Sequence, residues 1–488
     1  MDSKREINFK LIGKFLGILQ MILAGFMFIS VFWSIYYKET NALNSILISS
    51  AITFGAGLLL YLICLGHDHR NIGKKEGYII VTLTWLSISF FGSFPFYISG
   101  AIPNFTDAYF ETISGFTTTG ATILNDIEAM PKGLLFWRSI TQWLGGMGII
   151  VLTLAILPIL GVGGMQLFVA EAPGTTPTRL HPRIAETAKR LWGIYLAFTL
   201  IQTLLLMLGN MSFFDAICHA FTTMATGGFS TQNDSIAGYS AYIQYVIILF
   251  MIIAGISFSL HYFLLKGQFN KVLKNEELRF YFTLIAGITL FLSLSFLIFY
   301  NTSAEEAFRD SLFQTVSIIT TTGFITSDYL NWESFMWFLL FLMMFTGGCI
   351  GSTGGGIKMI RLLILFKNTR VELKRLIHPM AIIPVRINSK SISPEIIHNF
   401  LAFFLIYMLL IVFGSFIMTV FGLDFQSAIG ATAATIGNIG PGIGSVGPVE
   451  TYSHIPELGK WVLSLFMLIG RLELFTVLLL FSPSFWKK

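Results

Sequence analysis

The sequence predicts an all-α polytopic membrane protein, and three observations predict it. The chain has 488 residues, of which 54% are apolar and only 12% charged, about half the charge of an ordinary soluble domain. Many apolar runs exceed the roughly 17–25 residues that cross a bilayer as a helix. One signature, a short apolar stretch followed by a Thr/Gly tract, occurs four times. The expected architecture is therefore four pseudo-symmetric span–short helix–span repeats with two extra N-terminal spans.

The four copies are DAYFETISGFTTTGAT (Asp107 to Thr122), DAICHAFTTMATGGFS (Asp215 to Ser230), DSLFQTVSIITTTGFI (Asp310 to Ile325) and SAIGATAATIGNIGPG (Ser427 to Gly442). An Asp stands thirteen residues before Gly120, Gly228 and Gly323, and Ser427 stands thirteen before Gly440. Asp424 stands thirteen before Gly437, so the fourth copy also admits a register shifted by three, with Gly440 preferred. Each Asp or Ser is expected to cap a short helix, a role that suits Asp107, Asp215 and Asp310 better than ion ligation.

In chain order, Lys4, Arg5, Lys10 and Lys14 stand at the head of an apolar run from Leu11 to Tyr37. The run is too long for a signal peptide and lacks a small-x-small cleavage site at its end. It is expected to be a retained first span with the N-terminus in the cytoplasm. Spans are expected over 11–37, 45–66, 76–100, 134–161, 189–210, 239–265, 279–300, 334–366, 396–422 and 458–482. The 334–366 span is expected to break near its middle. The stretches 105–117, 213–225, 308–320 and 424–437 are too short to span and are expected to be re-entrant. The domain plan is a pair of spans over 1–73, then repeats over 74–185, 186–275, 276–391 and 392–488, the third carrying a glycine-rich intramembrane loop. Successive key glycines are 108, 95 and 117 residues apart, longer than solenoid periods, so the repeats are expected to surround an axis.

The net charge of +5 matters less than its distribution. With the N-terminus inside, segments 66–77, 170–190, 266–279, 358–393 and 483–488 are cytoplasmic and, with the N-terminal four, hold 25 of the 31 Lys and Arg. That asymmetry obeys the positive-inside rule. It also puts both termini in the cytoplasm and all four tracts near the outer face. Cys64, Cys218 and Cys349 are scattered in apolar segments and suggest neither a disulfide framework nor a metal cluster.

Thr/Gly tracts of this kind suit a cation pore. An ion leaving water needs replacement oxygens, which backbone carbonyls supply when the chain is extended and they point inward. Glycine admits that conformation, and irregular backbone at membrane depth is tolerated where it lines a wet path. Each short helix ends at its tract, turning a partial negative charge toward the site. The carbonyls expected to act are those of Thr117, Thr118, Thr119 and Gly120; Ala225, Thr226, Gly227 and Gly228; Thr320, Thr321, Thr322 and Gly323; and Gly437, Asn438, Ile439 and Gly440. The competing explanation is close helix packing by small residues, which four copies at one spacing disfavour.

The tracts TTTGAT, ATGGFS, TTTGFIT and GNIGPGIG resemble the four filter segments of the Trk/Ktr/HKT superfamily of potassium transporters, a resemblance that covers nearly the whole chain. The two extra spans and the GNIGPG form of the fourth tract resemble the bacterial Trk potassium-uptake branch more than Ktr. The resemblance implies K⁺ as the transported ion, held at the filter residues, with no covalent cofactor. A glycine in all four filters implies potassium rather than sodium preference. It implies a cytosolic nucleotide-binding regulatory ring (TrkA-like) as partner, a homodimer matching that ring's symmetry, and the cell inner membrane with its lipid as setting; nucleic acid is not an expected partner. Gly227 departs from a bulkier residue in the family, and the second quarter is expected to be looser for it.

Two further features lie beyond the tracts. FTGGCIGSTGGGIK, Phe345 to Lys358, has six glycines between 347 and 356. Gly347, Gly348, Gly351, Ser352, Thr353, Gly354, Gly355 and Gly356 are expected to form a gating loop across the path, as the resemblance also implies; a plain hinge is the alternative. A phosphate-binding loop is excluded because no GK is followed by Ser or Thr. Arg471 lies in the last span, where a charge is costly and faces an interior or a wet cavity. It is expected to project below the tracts and limit leak, the alternative being pairing with Glu473 or with carbonyls. Glu111 and His219 are expected to bond to neighbouring repeats. No HExxH, paired carboxylates or nucleophile elbow occurs, so an enzyme is not expected. An ion-coupled secondary transporter of a small solute is the remaining alternative, disfavoured because the repeats share one orientation and no mid-span carboxylate stands out except Glu473.

Overall fold

A computed structural model describes residues 7–65, 73–148 and 184–487. It is helical throughout, apart from a two-stranded hairpin pairing Arg386–Ile387 with Lys390–Ser391. Six described helices are long and apolar enough to cross a membrane: Phe9–Tyr36, Thr40–Ile63, Lys75–Ile98, Ala188–Leu208, Glu276–Phe299 and Pro394–Val420. The first two pack backbone to backbone. A side chain at Gly17 would come within 2.6 Å of the Gly57 carbonyl oxygen, and one at Gly57 within 2.7 Å of the Gly17 carbonyl oxygen. Small residues let membrane helices approach this closely.

Two expected spans are bent rather than straight. Ala241–Gly255 meets Phe258–Leu265 at 99°, and Glu457–Arg471 meets Phe475–Phe481 at 114°. The expected 334–366 span is two helices, Ser334–Met343 and Met359–Ile377, joined by the glycine-rich segment. The expected 134–161 span begins as Lys132–Trp143 and continues in one wider turn, Leu144–Gly148. The remainder of that span, and most of the segments 66–77 and 170–190, lie outside the described residues.

Between the long helices lie four short ones, Phe105–Phe116, Phe213–Met224, Ala304–Ile319 and Phe425–Gly437. Their caps differ from the expected ones. The side chains of Asn104, Ser212, Ser303 and Asp424 accept from the backbone N–H groups of Thr106, Asp215, Glu306 and Ser427. Asp107 and Asp215 therefore sit in the first turn and Asp310 in the second. Asp107 instead pairs with Lys460 at 2.6 Å, and Ser427 accepts from the Ser445 N–H at 2.8 Å. The signal was present as Asn-x-x-Asp, Ser-x-x-Asp, Ser-x-x-Glu and Asp-x-x-Ser, the reciprocal pattern of a capping box or a close relative of it.

Two ion pairs among the described residues lie inside the fold. Arg138 and Glu111 meet at 2.7 Å with side chains 2% and 0% exposed, and the Arg138 guanidinium lies 3.5 Å from the centre of the Phe229 ring. Arg361 pairs with Glu473. Truncating one partner of a fully buried pair leaves the other charge uncompensated, which costs about 3–5 kcal/mol. Glu111→Ala is expected to lose stability on that scale in a thermal melt of the detergent-solubilised protein. A melting temperature equal to the parent's would place this pair with surface salt bridges.

Candidate functional site: a ring of four tracts

Each short helix closes in the same way. The amide of Thr119 donates to the Ser114 carbonyl at 2.8 Å and that of Thr118 to Gly115 at 2.9 Å; Gly227 and Thr226, Thr322 and Thr321, and Ile439 and Asn438 repeat the pair. Such paired bonds end a helix with one residue in the left-handed region, usually Gly or Asn. Here that residue is Thr118 (φ 52°), Thr226 (φ 53°), Thr321 (φ 59°) and Asn438 (φ 54°). Two residues on, Gly120, Gly228, Gly323 and Gly440 have φ of 82°, 78°, 81° and 94°. Gly437 is the last residue of its helix, so Gly440 is the geometric counterpart of the other three glycines.

The four glycines close a ring. A side chain at Gly120 would come within 2.2 Å of the Gly227 carbonyl oxygen, one at Gly228 within 2.0 Å of Thr322, one at Gly323 within 1.9 Å of Ile439, and one at Gly440 within 2.7 Å of Thr119. Each tract thus lays the carbonyl before its own glycine against the glycine of the tract preceding it, and the fourth glycine meets the first tract. All four glycines line a single cavity of about 140 Å³.

The carbonyls of this ring are short of partners. Thr117, Thr118 and Thr119 are fully buried, as are Thr320, Thr321 and Thr322, yet their carbonyls accept no hydrogen bond from any described residue. Buried carbonyls are nearly always paired. Those of Ala225, Gly227 and Gly440 do accept, from Thr226 Oγ1 (2.6 Å), Gln142 Nε2 (2.6 Å) and Tyr452 Oη (2.7 Å). A cluster of buried oxygens at the ends of four helix dipoles can replace the hydration shell of a cation.

Three of the four tracts are braced by a side chain of their own short helix. Nine residues before the key glycine stand Glu111, His219 and Gln314. Glu111 accepts from Thr122 Oγ1 (2.9 Å) and the Ile123 N–H (2.9 Å), His219 Nε2 meets Ser230 Oγ at 3.0 Å, and Gln314 Nε2 reaches Thr326 Oγ1 at 3.4 Å. Bonds from Glu111 and His219 to neighbouring repeats were expected, but both stay within their own. Arg138 links the first repeat to the second by donating to the Ser230 carbonyl at 2.9 Å.

The glycine-rich segment 345–358 lies directly beneath the ring. The Gly355 N–H donates to Thr321 Oγ1 at 2.7 Å. Thr353 Oγ1 donates to the Met224 carbonyl at 3.0 Å and stands 3.3 Å from Thr226 Oγ1. A side chain at Gly354 would approach the Thr320 carbonyl oxygen to 2.8 Å, and one at Gly355 the Gly437 carbonyl oxygen to 2.6 Å. Gly347 abuts the Gly355 carbonyl, and Gly351 and Gly356 have φ of 77° and 62°. The segment also completes the 99° bend: Cys349 N–H donates to the Gly255 carbonyl at 2.8 Å, and Phe258 N–H to the Gly351 carbonyl at 3.0 Å. Glu277, missed from sequence, accepts from the N–H groups of Ile350 (2.7 Å) and Ile360 (3.2 Å), fastening both flanks.

Arg471 is the last residue of its helix, where the dipole favours a cation. Its Nη1 donates to Thr118 Oγ1 at 3.1 Å and to the Thr353 carbonyl at 2.7 Å; its Nη2 donates to the carbonyls of Gly145 and Gly146. The segment and Arg471 together therefore touch the underside of every tract. Arg471 thus bonds to carbonyls, the alternative weighed above, while it also contacts Thr118 of the first tract.

Comparison with known proteins follows the same lines. Residues 42–488 match the TrkH family, described as "Cation transport protein". A Trk system potassium uptake protein TrkH of Escherichia coli K12 is 40% identical, over 99% of this chain and 100% of its own. That of Halomonas elongata is 39% identical over the same shares. The crystal structure of the potassium transporter TrkH from Vibrio parahaemolyticus superposes with a TM-score of 0.88 at 38% identity, covering 99% of this chain and 100% of that one.

The ring ranks substitutions at its glycines. Gly323→Ala and Gly228→Ala bring a methyl onto backbone at 1.9 and 2.0 Å, whereas Gly440→Ala meets it at 2.7 Å. All three strain a left-handed residue. The first two are expected to abolish cation flux in reconstituted vesicles and the third to reduce it least.

Proposed function

The chain belongs to the TrkH family of cation transport proteins, and from that footing we propose that it takes up potassium through the ring of four tracts. It is a multi-pass membrane transporter and not an enzyme. The observation that carries the reading is the set of buried carbonyls of Thr117–Thr119 and Thr320–Thr322, which have no hydrogen-bond partner among the described residues. Such oxygens are stable in a dry core only if something else coordinates them, and a weakly hydrated monovalent cation does so without any acidic side chain. Thr117–Gly120, Ala225–Gly228, Thr320–Gly323 and Gly437–Gly440 form the filter in this reading. Glycine at all four key positions keeps it wide enough for backbone oxygens alone, which agrees with potassium preference.

The segment Gly347–Gly356 and Arg471 form the gate. Arg471 places a fixed positive charge at the inner mouth and clasps the segment through the Thr353 carbonyl, so both barriers act at one level. The described parts of the four repeats over 74–185, 186–275, 276–391 and 392–488 surround the path in this reading, and those of the pair of spans over 1–73 flank it. The basic segments between spans face the cytoplasm together with both termini, in the cell inner membrane. There they dock a nucleotide-binding regulatory ring onto a homodimer. The E. coli relative is named as part of a Trk system, which supports the presence of a partner.

Flux of K⁺, Rb⁺, Na⁺ and Li⁺ into proteoliposomes at set voltage and pH tests the function. Potassium entry driven by potential alone is expected; a strict need for a proton or sodium gradient would identify a coupled transporter instead. Arg471→Ala removes the charge and the clasp and is expected to raise potassium flux several-fold, while unchanged flux would remove Arg471 from the gate. Glu277→Ala frees the segment's flanks and is expected to raise flux in the same direction by less.

A further inference from the structure

We propose that Gln142 holds the second quarter of the filter at fixed width and thereby contributes to discrimination against cations smaller than potassium. The proposal rests on the filter reading above. In the position before the key glycine, the tracts carry Thr119, Gly227, Thr322 and Ile439. Two of these lock their tract internally: Thr119 Oγ1 lies 2.8 Å from Thr117 Oγ1, and Thr322 Oγ1 lies 2.8 Å from Thr320 Oγ1. The fourth tract is held from Asn438, whose Nδ2 donates to Thr119 Oγ1 at 3.0 Å and to the Met467 carbonyl at 2.9 Å. The second tract has Ala225 and Gly227 where the first and third have this hydroxyl pair, so it has no lock of its own.

Gln142 supplies one from outside. It stands near the end of Lys132–Trp143, in the preceding repeat, and is fully buried. Its Nε2 donates to the Gly227 carbonyl at 2.6 Å, and its Oε1 accepts from the Phe229 N–H at 3.0 Å. The carboxamide therefore grips the chain on both sides of Gly228. It also fills the volume that a side chain at residue 227 would need, since a Cβ there would come within 2.4 Å of Gln142 Cδ. The second quarter is braced rather than loosened by Gly227, contrary to the expectation from sequence.

The Gly227 carbonyl is the one that abuts Gly120. A carbonyl oxygen has two lone pairs, so the bond to Gln142 leaves one for an ion. To bind a smaller cation equally well, the four carbonyls must draw inward. A carbonyl tethered to a side chain that is itself fully packed cannot follow, and the smaller ion stays under-coordinated. Gln142 is thus a positioning residue that acts through Gly227.

Two variants approach this brace from opposite sides. Gln142→Met keeps the bulk and removes both hydrogen bonds. Gly227→Ala leaves Gln142 in the sequence and displaces it. Each is reconstituted as the full chain, and K⁺ and Na⁺ fluxes are measured alongside the thermal melt. In both, the K⁺:Na⁺ flux ratio is expected to fall about tenfold, the scale set by one hydrogen bond between two ion-bound states, chiefly through faster Na⁺ entry. A parental ratio in either variant that retains the parental melting temperature overturns the role of Gln142. If one variant fails to fold, the other carries the test. A parent protein with no preference for potassium overturns the filter reading itself, a result distinguishable before any variant is made.

Discussion

Everything at the centre of this molecule depends on backbone meeting backbone with no side chain between. Four glycines each lie against the carbonyl of the next tract at distances no Cβ tolerates, and the closure of fourth onto first makes the contact cyclic. A ring of this kind cannot relax at one joint alone. Each short helix is consequently fastened at both ends: a side-chain cap at its start, a paired closing bond at its finish, and in three of the four a side chain returning to the strand beyond the glycine. In the fourth, Ala431 offers no such side chain, and Gly430 and Gly442 pack backbone on backbone instead.

The ring is also strained, and the strain is informative. Three β-branched threonines occupy the left-handed region that ends each helix, a conformation that costs about 1–3 kcal/mol per residue. Asparagine, which adopts it more readily, appears only in the fourth tract. The hydroxyls of these threonines face the glycine-rich segment and Arg471, and each meets one of them. Glycine would relieve the strain and forfeit those contacts. The residues beneath the ring are thus held by side chains that the ring itself keeps in an unfavourable backbone state.

Much of this was legible in the chain. Period, spacing and charge asymmetry gave the short helices, the register of the first three tracts and the interruption after Met343, because those follow from local chemistry. The caps were misassigned by three residues in the first, second and fourth helices, although the pairing of a cap with a residue three positions on was there to read. The third helix begins a turn earlier than its siblings, which the spacing from Asp310 concealed. The bend at Gly255 left a weak local signal, because what permits it is distant: the glycine-rich segment supplies the partners that the broken helix lacks. Gln142 was invisible for the same reason. Its importance comes from Gly227, eighty-five residues away, and a lone glutamine in an apolar helix announces nothing.

The 99° bend carries a consequence for movement. Its freed carbonyl at Gly255 and freed amide at Phe258 are satisfied only by Cys349 and Gly351 among the described residues. In the proposed gate, a glycine-rich segment that moves away strips both groups, and each left bare in a dry interior costs about 1–3 kcal/mol. Water is the one replacement that can arrive as the segment leaves. Opening of the proposed gate is therefore a wetting transition as much as a displacement, since water must reach these two groups as the segment leaves.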